Sequence, residues 1–81
     1  MRKSVHSKAQ LVLQALLVGA RKRAGLTQQD VADRLDKPQS FVAKYEGGER
    51  RLDVVEFILV ARAIGADPKK LVATLIAEAR L

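Results

Sequence analysis

This sequence predicts an all-α domain of five short helices, and three observations carry that expectation. Apolar residues recur at three- and four-residue spacing through most of the chain, and no segment alternates apolar with polar as a half-buried strand would. Capping residues and helix-stopping glycines punctuate that spacing at short intervals. Hydrophobic residues make up 48% of the 81, enough for a core, yet only Phe41, Tyr45 and Phe57 are aromatic. The core must therefore come from Leu, Val, Ile and Ala. This length is near the lower limit for one hydrophobic core, so residues 1–81 read as a single domain.

The first helix is expected from about Ser7 to Ala24. Leu13, Leu17, Ala20 and Ala24 form one stripe flanked by Leu16, and Leu11, Ala15 and Val18 form a second stripe opposite. Thr27 opens the second helix as its cap, with Asp30 completing a capping box and Leu26 and Val31 forming a hydrophobic staple. Its buried face is Val31, Ala32 and Leu35. Pro38 disfavours helical geometry at Lys37, so the pattern breaks there. A third helix then runs from Pro38 or Gln39 to about Glu46, where Gly47 and Gly48 can stop it. Asp53 caps the fourth helix, with Glu56 completing the box and Leu52 and Phe57 as staple. That helix, VVEFILVARAIG, is apolar almost all round and reads as centrally buried. Asp67 and Pro68 open the fifth, whose broad apolar face is Leu71, Val72, Leu75, Ile76 and Ala79.

Composition narrows the function classes. The chain has no cysteine, which excludes a disulfide scaffold and a thiolate metal site and fits the cytoplasm. Gln14, Arg21 and Arg62 interrupt every candidate membrane span. His6 is the only histidine and stands in no catalytic or ligand pattern. Asp30, Asp33 and Asp36 serve capping and solubility. No phosphate loop, zinc spacing or nucleophile motif occurs, so a non-enzyme with no cofactor or metal is expected. The net charge of +6 lies wholly before Asp30, in Arg2, Lys3, Lys8, Arg21, Lys22 and Arg23. A polyanion partner and a solvated basic tail both fit that asymmetry. Residues 1–8 read as a flexible basic arm, in which Arg2 and Lys3 either reach a partner or simply begin the chain.

The third helix carries more polar surface than packing requires. Phe41, Val42 and Tyr45 gather on one side; Gln39, Ser40, Ala43 and Lys44 gather on the other. Any amphipathic helix has a solvated face, so the face alone settles nothing. The arrangement adds meaning: helix, sharp turn, helix over about residues 27–46, in a small basic domain, is the helix-turn-helix unit. In that unit the second helix enters the DNA major groove, where Gln pairs with adenine and Lys reaches guanine or phosphate. A loop with two arginines, Arg50 and Arg51, suits phosphate contact.

The segments ARKRAGLTQQDVADRL, QSFVAKYEGGERR and ARAIGADP together resemble the Cro/phage-repressor type of helix-turn-helix domain, the XRE family, from about Leu13 to Leu75. The resemblance implies the five-helix lambda-repressor-like fold and binding to double-stranded DNA. By position, Gln28 matches a phosphate-binding glutamine that braces the recognition helix. Gln39, Ser40 and Lys44 match base-reading positions, and Arg50 and Arg51 a phosphate-contacting loop. Arg21 and Glu46 match a structural ion pair that spacing alone does not reveal. Three residues depart from the pattern. Asp36 replaces the usual turn glycine, Pro38 replaces a Ser or Thr cap, and Phe41 is bulkier than usual, fit either to pad the core edge, which is favoured, or to touch a thymine methyl.

These readings imply a sequence-specific, repressor-like transcriptional regulator acting as a homodimer on a palindromic site. The second stripe of the first helix and the segment from Ile76 to Leu81 either cover each other or form the dimer interface, and the dimer is favoured. An antitoxin-like protein with a second protein partner, or a protein-interaction adaptor, would fit the same apolar ends. No segment is left for a ligand-sensing domain, so direct control by a small molecule is not expected.

Overall fold

The computed structural model describes residues 7–81, and among these the chain forms five helices and no strand. Arg2, Lys3 and His6 lie outside the described residues. The last two residues assigned to the arm do not belong to it: Ser7 caps the first helix and Lys8 begins it.

Helix α1 runs Lys8–Arg23, α2 Gln28–Leu35, α3 Gln39–Glu46, α4 Val54–Ile64 and α5 Pro68–Ala79. The capping boxes expected at Thr27/Asp30 and Asp53/Glu56 are both present, each satisfying two backbone donors reciprocally. The Thr27 backbone and side chain hold the Asp30 carboxyl below the usual aspartate range. Asp67 accepts from the Lys69 amide, with Pro68 at the first turn of α5. Helix α3 ends at Gly47, and Gly48 follows with a φ of 83°. A Cβ there would lie 3.1 Å from the Gln14 side-chain oxygen, so both backbone and space call for glycine.

The core joins all five helices through Leu17, Ala20, Val31, Ala32, Val42, Tyr45, Phe57, Val60, Ala61, Ile64 and Leu71. Val31 and Val42 are fully buried, each contributing roughly 1.5–3 kcal/mol relative to exposure. They lock α2 to α3, and α1 packs along α5. Leu35 and Phe41 are half-buried at the margin of this core.

Two expected faces are less covered than their apolarity suggests. Helix α4 buries Phe57, Val60, Ala61 and Ile64, but Val54, Val55 and Leu59 are exposed at 73%, 65% and 54%. It is therefore not a central helix surrounded by the others, because it packs against α1, α2 and α5 on one side. On α5 only Leu71 is buried; Leu75 and Ala79 are half-buried, and Val72 and Ile76 face out. Packing of α1 on α5 also leaves Leu11 and Ala15 exposed and Val18 half-buried.

Candidate nucleic-acid interface

Helices α2 and α3 meet through a turn of three residues, Asp36 to Pro38. Asp36 takes the left-handed conformation, φ 57° and ψ 45°, where the turn resemblance calls for glycine. Aspartate tolerates that region better than most residues. The Asp36 amide donates to Ala32 and Asp33, and the Lys37 amide reaches back to Ala32 at 3.0 Å, closing α2. Pro38 sits at the N-cap of α3 in extended geometry and supplies no side-chain cap. Gln39, Ser40 and Lys44 are exposed on the outer face of α3, while Ala43 is half-buried. Val42 and Tyr45 seat the inner face, and burial pushes the Tyr45 phenol well above its ordinary pKa.

A chain of side-chain hydrogen bonds runs beneath this face. Arg21 Nε donates to Glu46 Oε2 at 2.7 Å, and Arg21 Nη2 donates to Oε1 at 3.0 Å. Both side chains are largely buried, with 11% and 6% exposure, and the bonding to Glu46 raises the Arg21 pKa. Gln28 Nε2 donates to Glu46 Oε1 at 2.9 Å, and Gln39 Nε2 donates to Gln28 Oε1 at 2.7 Å. The direction of the chain follows from chemistry. An ionised carboxylate only accepts, so Gln28 must turn its amide nitrogen to Glu46 and its oxygen to Gln39. Gln39 must then spend one N–H on Gln28. The residues carried over from the family resemblance, Arg21, Gln28, Gln39 and Glu46, thus form one connected unit across α1, α2 and α3. Spacing could not reveal it, since Arg21 and Glu46 are 25 residues apart.

The two loop arginines differ from the picture of a solvated pair. Arg50 forms a two-pronged ion pair with Glu56, Nη1 to Oε1 at 3.1 Å and Nη2 to Oε2 at 2.8 Å. Its guanidinium carbon lies 4.8 Å from the centre of the Phe41 ring, and Lys37 Nζ lies 5.5 Å from the same centre. Glu56 also accepts from the Asp53 amide. Arg50 and then that amide draw the Glu56 pKa from the ordinary 4.5 to about 2. Sequence reading assigned Glu56 only to its cap. Arg51 lies beside Arg50 on the exposed loop, and its carbonyl accepts from Arg50 at 3.0 Å.

A helix-turn-helix family model matches residues 19–71, the span from the end of α1 to the start of α5 that contains this unit. Among solved structures, the chain is similar to an XRE-family like protein from Pseudomonas syringae pv. tomato str. DC3000. The two are 48% identical with a TM-score of 0.87, and the match covers 93% of this chain and 92% of that one.

The chain belongs to the XRE family of helix-turn-helix proteins.

The XRE domain is a DNA-binding, transcription-regulating fold of five helices. The polar face of α3 therefore stands in this XRE protein where the motif places its recognition helix. No curated protein matches the chain. Among the described residues, no helix of this XRE protein is long and apolar enough to cross a membrane.

Proposed function

We propose that this XRE protein is a sequence-specific, repressor-like regulator that binds a palindromic site in double-stranded DNA as a homodimer. It acts in the cytoplasm and catalyses no reaction. Gln39, Ser40 and Lys44 meet base edges in the major groove, and Gln28 and Arg51 hold phosphates on either side.

The observation that supports this reading most directly is the polarised chain from Glu46 through Gln28 to Gln39. Gln28 has one N–H left over, suited to a phosphate oxygen. Gln39 has one N–H and its carbonyl oxygen left over, the donor and acceptor that adenine N7 and N6 require. A solvated face needs no such bracing. The homodimer reading draws on apolar residues left exposed: Leu11 of α1 at 49%, Ile76 of α5 at 47%, and Leu81 just beyond α5 at 70%.

Selection of bound duplexes from a random DNA pool by the purified protein tests this. The expected product is an inverted repeat with adenine at one position of each half-site. Half-site centres should lie about 10 base pairs, one helical turn, apart. Recovery of no motif under salt low enough for binding would remove specific readout.

A second reading adds another protein to the complex, in the manner of an antitoxin. Val55 and Leu59, one turn apart on α4, are exposed at 65% and 54% on a different helix from those apolar ends, and this favours it. A stable complex with the product of a neighbouring gene, blocked by Leu59→Asp, is its expected signature.

A further inference from the structure

The cluster around Arg50 is not explained by DNA contact, and three elements converge on it. Phe41 comes from α3, Arg50 from the loop, and Glu56 from the first turn of α4. The Arg50 guanidinium makes three hydrogen bonds among the described residues, two to the Glu56 carboxylate and one to the Arg51 carbonyl. The guanidinium carbon also lies over the Phe41 ring, 4.8 Å from the centre. A planar, forked guanidinium suits such simultaneous bidentate and stacking contact; an ammonium does not.

Glu56 stays in place if Arg50 leaves. Its Oε1 accepts from the Asp53 amide at 3.0 Å while its own amide donates to Asp53, so the carboxylate is held as the reciprocal half of the α4 capping box. Were Arg50 to leave for a phosphate, Glu56 would remain fixed as an unpaired anion beside the DNA backbone. Pairing also cancels the charge of Arg50 locally, and only cations that neutralise phosphates release counterions.

We propose that Arg50 is a positioning residue and not a phosphate ligand: bridged to Glu56 and laid on Phe41, it fixes the loop from Gly47 to Asp53 against the recognition helix, while Glu56 withholds its charge from DNA. The inference rests on the DNA-binding reading above. It separates Arg50 from Arg51, with which the sequence pairs it in a phosphate-contacting loop, and assigns Arg50 to the geometry of the recognition helix.

Salt titrations of binding to a short duplex of random sequence test it, with Glu56→Gln and the double variant Glu56→Gln/Arg50→Met beside the parent protein. Glutamine keeps an oxygen for the Asp53 amide, so the capping box survives. Methionine keeps an apolar stem on Phe41. Freed of its partner, Arg50 in the single variant should reach a phosphate, making the slope of log K against log salt steeper by about 0.9. The double variant should return the slope to the parent value. An unchanged slope in Glu56→Gln, or a slope about 0.9 shallower than the parent in the double variant, overturns the proposal. On a selected site, Arg50→Lys gives an independent readout. Lysine serves a phosphate as well as arginine does, but it cannot reproduce the two-pronged bond to Glu56. The ratio of specific to random affinity should fall roughly twofold to fivefold, the size of a lost exposed ion pair; an unchanged ratio overturns the positioning role. Parent protein that binds no duplex at any salt would fail the DNA-binding reading itself, a result distinct from all of these.

Discussion

Gln39 shows how a single side chain can be polarised by a charge it does not touch. Glu46 accepts, Gln28 relays, and Gln39 is left with a fixed donor and a fixed acceptor facing outward. Gln39→Ala should therefore cost about 1–3 kcal/mol on a selected site and relax one base position per half-site, with random DNA bound as before. Competition titrations with singly substituted duplexes measure this, and an equal loss on every sequence would move Gln39 among the phosphate contacts. That Gln39 carries a usable amide was legible from helical periodicity, which put it on the polar face. Its orientation was not, since it depends on a carboxylate seven residues away on the same helix reached only through another helix.

Element boundaries follow from local chemistry, which is why they were legible. Thr27 and Asp53 cap, Asp30 and Glu56 close their boxes, and Gly65 ends α4 with a φ of 89°, none needing tertiary contact. The same carboxylates make α2 and α4 acid-sensitive. Both have folded pKa values below their ordinary ones, so the unfolded chain takes up protons first as pH falls. For Glu56 the stabilisation is present above about pH 4.5 and is lost as pH falls toward about 2, and that of Asp30 is likewise lost on acidification. Thermal melts across that window should show a falling Tm, and Glu56→Gln should flatten part of the fall; an unaltered profile would exclude Glu56 as a source. How far a helix is covered was not legible. The pattern of α4 looks buried on every side, but periodicity counts apolar faces without saying which neighbours exist to cover them. Val55 and Leu59 are exposed on the side turned away from the buried Phe57, Val60 and Ile64.

For the whole molecule, Glu46 is the point where three helices are tied. Its carboxylate holds Arg21 of α1 and Gln28 of α2, and its backbone carbonyl accepts from Gln14 at 3.4 Å. Glu46→Ala should destabilise the fold by about 2–3 kcal/mol, because it strands a largely buried guanidinium. The midpoint of urea unfolding reads that loss, and a shift no larger than that of an exposed pair would demote the tie to a surface contact. The all-α class, the five helices and the helix-turn-helix were legible in the chain because caps, prolines, glycines and apolar spacing act over a few residues. The Arg21–Glu46 pair came from resemblance, with no local signal. The bond between Gln39 and Gln28, and the capture of Arg50 by Glu56 on Phe41, came from the tertiary structure. They join groups from separate elements, and whether such groups meet depends on how the helices pack, a property that short-range spacing does not encode.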